Sequence, residues 1–229
     1  MITKKEVLAI ALAAITLGYI ESFTGFTWQS WAVFSLLGLV IVGIHVLGQK
    51  AMAVIFDSDT ETTIWKMERF WFPESRYLRT AIPTGILVPL AALFISYGHL
   101  WFLTLITFEA SPLPYKIRPF SKITEVQLAL IALAGSIANI LLAFFAFLLG
   151  FKEFAMLNLY FSFFSLIPFS SFDGTKVFFG SRLLWMFSFA FVLSLIILFE
   201  VAGFWPTLIS AFIIALTILI AYFVSFEAP

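Results

Sequence analysis

The chain has 229 residues, of which 62% are hydrophobic and only 11% charged, and its mean hydropathy is +1.06. A soluble domain is about a quarter charged, so this composition excludes a water-soluble globule: too few polar side chains exist to cover its surface. Formal net charge is zero and no basic run occurs, which argues against nucleic acid as a partner, and the absence of cysteine removes disulfides and thiolate metal sites.

Apolar stretches run over 6–24, 29–56, 82–108, 126–150, 154–170, 182–200 and 204–226. Each is predicted to be helical, because about 20 apolar residues in a helix cross the hydrocarbon core. Charge placement then decides which of them cross. Lys4 and Lys5 put the N-terminus inside, and the loop from Glu21 to Thr27 has no Lys or Arg. The second stretch returns to Lys50, Lys66, Arg69, Arg76 and Arg79, an inside signature. If 82–108 crossed once, Lys116, Arg118 and Lys122 would lie outside, against the positive-inside tendency. If it enters and leaves on one side, they stay inside. Pro83, Pro89 and the Gly98-His99 pair permit such a hairpin, provided that protein covers its non-helical backbone. The remaining stretches then alternate, leaving only Lys152 of the 13 Lys and Arg outside.

The expectation is an all-α polytopic membrane protein with about six transmembrane helices and one re-entrant hairpin at 82–108. Seven spans is the alternative. A single membrane domain is expected over 1–229, with both termini cytosolic and the plasma membrane of a prokaryote as its location. Asp57 to Thr80 reads as a polar cytosolic loop, with a short amphipathic piece around Trp65, Met67, Phe70, Trp71 and Phe72 that could lie in the interface.

Polar residues inside spans are the default functional candidates. They are His45 and Gln49 in the second stretch, His99 in the hairpin, Asn139, Asn158, and Asp173 just past the fifth stretch. His45 and Gln49 are four apart and share a helix face. A helical metalloprotease site needs His at both positions, with Glu after the first as general base. Here Val46 and Gln49 stand at the Glu and second His positions. Pro168 ends a helix and Asp173-Gly174 reads as a turn, so Asp173 is either a local backbone cap or a ligand carried to His45 by packing. Gly135, Ser136 and Ala138 are small enough for close helix packing.

Three fragments occur in order: His45, Leu47, Gly48 and Ala53; Ala134, Gly135 and Asn139; Leu166, Ile167, Pro168, Asp173 and Gly174. Together they resemble the site-2 protease family of intramembrane zinc metalloproteases, over roughly residues 30 to 200. The resemblance implies a protease-like core over roughly 29–200 and a re-entrant segment between the first two elements. It implies zinc held by two His and an Asp, with a Glu activating water. His45 and Asp173 are then vestigial metal candidates, and Val46, at the general-base position, cannot take a proton. Ser165 and Ser136 replace the family's Asn and Pro. Catalytic residues are therefore expected to be none, and no cofactor is expected, zinc being the one conceivable metal. Gln49, Asn139, Pro168 and Gly174 become polar or groove candidates. The expected function is that of a non-catalytic homologue that binds or retains transmembrane clients, with lipid bilayer and client helices as partners. The alternatives are an active zinc metalloprotease with a site rebuilt around His99 or Glu109, and an accessory subunit of a membrane complex.

Overall fold

The computed structural model describes residues 2–69, 77–113, 123–199, 201 and 204–227. The described chain is mostly helical and packs as two units, Met1–Gly43 with Glu61–Glu109, and Ile44–Thr60 with Ala110–Pro229. The sequence expectation of one domain over 1–229 did not contain this division. Phe70, Trp71, Phe72, Arg76, Lys116, Arg118 and Lys122 lie outside the described residues.

In the first unit, helix α1 covers Lys4–Ser22. Thr3 caps it in a reciprocal box with Glu6, whose side chain accepts the Thr3 amide at 2.8 Å. The other Glu6 oxygen accepts the Thr62 amide at 3.0 Å, so this fully buried carboxylate ties the helix start to strand β1, Ser58–Ile64. A 3-10 turn at Phe23–Gly25 leads to α2, Trp28–Ile55, started by mutual Thr27–Ser30 bonds of 3.0 Å. Gly18 packs directly on Ser35 and Gly38 on the Ala14 carbonyl, so the two helices meet along a seam of small residues.

Strand β1 buries Ser58, Thr60, Thr62 and Ile64, while Asp59, Glu61 and Thr63 between them are less buried. This period of two is that of a half-buried strand. Strands β2, Met67–Arg69, and β3, Tyr77–Ile82, pair antiparallel, with Met67 opposite Ile82. The all-α expectation is therefore corrected, as is the expectation of a polar loop at 57–80. Trp65 is buried at 3% exposure, not spread on an interface. Hydropathy missed β1 because three of its four buried residues are hydroxyl-bearing, Ser58, Thr60 and Thr62, and the two Thr are polar by composition but β-branched by shape.

The stretch expected to form a hairpin does turn back on itself. Helix α3, Thr84–Ile95, rises about 18 Å, well short of a 30 Å hydrocarbon core. Tyr97 and Gly98 take positive φ of 53° and 87°, and the Gly98 amide caps the Leu93 carbonyl at 2.8 Å. Residues 100–105 return without helix, spanning about 20 Å if extended, and β4, Ile106–Pro112, pairs with β1. Outward and return arms thus match in length. Both ends meet at one residue: Gly85 donates to the Trp65 carbonyl at 2.8 Å, and Trp65 donates to the Leu105 carbonyl at 3.0 Å. A side chain at Gly85 would run into that Leu105 carbonyl.

The second unit contains the C-terminal part of α2, then α4 Glu125–Leu148, α5 Lys152–Ser165, α6 Asp173–Gly180, α7 Arg182–Phe199 and α8 Phe204–Tyr222. Thr124 and Gln127 form a second capping box at the start of α4. α4 packs on α5 and α6, and α7 packs on α5, α6 and α8. Phe161, Leu166, Phe172 and Val177 are fully buried or nearly so.

Among the described residues five helices are long and apolar enough to cross a membrane: those within Lys4–Gly25, Trp28–Ile55, Glu125–Leu148, Arg182–Phe199 and Trp205–Ser225. Six were expected. The expected sixth corresponds to α5, whose 14 residues rise about 21 Å and fall below that length. It stops at Ser165, because Pro168 and the residue before it disfavour helix.

Candidate functional site

His45, Gln49, Asn139 and Asp173 come together inside the second unit. α2 presents His45 and Gln49 one turn apart on one face, α4 contributes Asn139, and α6 begins at Asp173. All four are buried, at 0%, 1%, 0% and 3% exposure. His45 Nε2 lies 2.8 Å from Asp173 Oδ2, Gln49 Nε2 lies 2.8 Å from the same oxygen, and the two nitrogens are 3.0 Å apart.

One proton arrangement suits this triangle. The imidazole Nε2–H and a Gln49 amide N–H both donate to the carboxylate oxygen. His45 Nδ1 is then the acceptor that faces Asn139 Nδ2 at a long 3.5 Å. The second carboxylate oxygen faces Lys176 Nζ at 3.5 Å, and that ammonium also donates to the Ser171 carbonyl at 3.1 Å. Asp173 is therefore neither a free ligand nor a backbone cap. It is the shared acceptor of two buried donors.

The surroundings fix the imidazole. Phe161 stands edge-on to it, with ring centroids 5.3 Å apart at 81°. Gly135 faces it from α4: a Cβ there would come within 2.6 Å of Nε2. One turn along α2, Gly48 lies against the Ala134 carbonyl, which a Cβ would approach to 2.6 Å. These contacts let α2 and α4 approach closely at the polar cluster. Beside it the α4–α5 seam is also polar. Ser136 and Ser165 hydroxyls bond at 3.1 Å, and Ser162 donates across the seam to the Ser136 carbonyl at 3.3 Å. Among the described residues Gln49 Oε1, Asn139 Oδ1 and Asn158 Oδ1 are buried side-chain oxygens with no hydrogen-bond partner.

Other candidates lie elsewhere. Pro168 is exposed in the turn after α5, and Gly174 supports the cluster only indirectly, by packing on the Leu166 carbonyl. Asn158 bonds within its own helix, donating to the Phe154 carbonyl one turn back at 2.8 Å. His99 and Glu109 are exposed residues of the first unit. Phe161 and Ser162 were not anticipated: a Phe and a Ser in an apolar helix carry no local signal of a site.

The donor set decides what the cluster can do. A catalytic zinc takes three protein ligands and a water. His45 and Asp173 supply two, and the third neighbour is a carboxamide that presents its N–H group. Among the described residues no group of three or more His, Cys, Asp or Glu side chains could hold a metal ion. Water attack needs a general base in hydrogen-bond reach; Val46 is apolar, and Asp173 is committed to its two donors. These residues do not fit a hydrolytic zinc centre. They fit a buried polar clasp joining α2, α4 and α6. Comparison with known proteins returns no matching family model, no matching curated protein and no matching solved structure.

Proposed function

We propose that this is a multi-pass integral membrane protein built on a site-2-protease-like core, and that it binds or retains transmembrane clients without cutting them. The observation that carries this proposal is the clasp. At the positions where the family pattern has a second zinc ligand and a water-activating carboxylate, this chain has an amide donor and Val46, and the remaining His and Asp bond to each other. The framework is retained in order, while its hydrolytic chemistry is not. Five long apolar helices and their exposed apolar side chains support insertion in a bilayer. The hairpin anchored at Trp65 supports placing the N-terminus and the loops on either side of the hairpin in the cytosol; with α5 and the turn after it completing a sixth crossing, the C-terminus returns to the same side.

Client binding is tested by photo-crosslinking. The protein is reconstituted in liposomes with synthetic transmembrane helices that carry a photoreactive residue at successive depths. Crosslinked peptide of intact mass, at a restricted set of depths, is the expected result. Uniform labelling no stronger than that of an unrelated membrane protein would overturn client binding. A stable stoichiometric partner that co-purifies in detergent, together with such uniform labelling, would favour an accessory subunit instead.

A further inference from the structure

Gln49 stands at the position where the helical metalloprotease pattern has its second His, and its geometry assigns it a task. We infer that Gln49 makes the His45–Asp173 pair a metal-excluding clasp: its amide N–H group fills the vertex where a third ligand would otherwise meet them. The inference rests on the non-hydrolytic reading of the same cluster.

Three lengths carry it. Donor atoms around a tetrahedral zinc, bound at about 2.0–2.1 Å, lie about 3.3 Å from one another. Here the separations are 2.8, 2.8 and 3.0 Å. The first two are charge-assisted hydrogen-bond lengths, and the third is the separation of two donors sharing one acceptor. For a cation to enter, His45 must surrender its Nε2 proton. The carboxamide must also turn over, exchanging its N–H donation for a carbonyl oxygen, which is outside the usual His, Cys and carboxylate ligand set of zinc. Gly135 and Phe161 press on the imidazole from two sides, which leaves the ring little room to retreat. The clasp is nevertheless one side chain from a ligand set, because residue 49 already points at both remaining groups.

The test compares the wild type with Gln49→His and the nearly isosteric Gln49→Glu, all purified in detergent. Each is equilibrated with zinc, desalted and assayed for metal content, for visible absorption with cobalt, and for melting temperature with and without chelator. The wild type is expected to hold well under one zinc per chain, to give no cobalt band and to melt at the same temperature in both conditions. Both variants are expected to take up about one metal per chain with a tetrahedral cobalt spectrum. Gln49→Glu sets two carboxylates about 3 Å apart, so chelator should lower its melting temperature. A merely structural role for Gln49 would lower stability without any metal uptake. The inference is overturned if the wild type retains about one zinc that His45→Ala abolishes, or if both variants fold and bind none. Cleavage of a client by the wild type would strike the reading of function; metal uptake by the wild type strikes this inference.

Discussion

Removing Asp173 should cost far more than its place in a turn just past an apolar stretch suggests. Asp173→Ala deletes the one acceptor shared by His45 Nε2–H and the Gln49 amide, both essentially without exposure. Each buried donor left without a partner costs about 1–3 kcal/mol. The sum, about 2–6 kcal/mol, overlaps the 3–5 kcal/mol typical of breaking one side of a buried pair. Two competing effects are smaller. Loss of an acidic residue from the first turn of α6 accounts for at most about 1 kcal/mol. Neutral interhelical bonds in membranes average only about 0.6 kcal/mol each, so two of them would give about 1 kcal/mol. Reversible unfolding in mixed micelles, followed by far-UV circular dichroism, reads the difference. The triple change of His45, Gln49 and Asp173 to Leu should cost less than Asp173→Ala plus His45→Ala, because it leaves fewer polar groups unpaired. A cost below about 1 kcal/mol for Asp173→Ala, or no coupling between His45 and Asp173 in a double-mutant cycle, would refute the clasp.

Gly135→Ala should destabilise by about 1–3 kcal/mol through overpacking against the His45 ring, and Phe161→Leu should partly relieve it; an unchanged melting temperature in Gly135→Ala would count against the packing described. Gly98→Val forces a β-branched residue to φ 87° and should lower stability by about 1–3 kcal/mol, readable as increased proteolysis within the hairpin. Glu6→Ala strips the acceptor from the Thr3 and Thr62 amides and should cost about 1–3 kcal/mol in the same unfolding assay, with Glu6→Gln milder. The chain has no cysteine, so single cysteines report topology directly. Glu61→Cys and Glu109→Cys should both react only from the cytosolic side and Thr24→Cys only from the opposite side. Labelling of positions 61 and 109 from opposite sides would contradict the hairpin.

The turn-back at 82–108 was legible because two independent signals agreed: the basic residues on either side, and Pro and Gly inside an apolar run. Its extended return arm was not, since Leu100–Leu105 is largely apolar in any conformation and is pinned at its end, where Trp65 donates to the Leu105 carbonyl. Strand β1 was hidden because hydropathy counts its buried Ser58, Thr60 and Thr62 as polar. α5 was overestimated because apolar content continues past Ser165 while the helix does not. The meeting of His45 and Asp173 was suggested by motif order; no local pattern spans 128 residues of separation. What the order could not supply was the orientation of Gln49, which depends on the proton needs of two groups brought to it by α6 and by its own helix. Gly135 was visible as a small residue, but its purpose, to admit an imidazole, became apparent only from packing.

The proposed function requires that the protein bind client helices without hydrolysing them. The most direct measurement incubates purified wild-type protein, in liposomes and with added zinc, with transmembrane helices that it crosslinks, and reads the peptide masses over time. Intact peptide is expected at every time point, identical with zinc and with chelator. A new pair of fragments that appears with zinc, vanishes with chelator and is abolished by His45→Ala would contradict it.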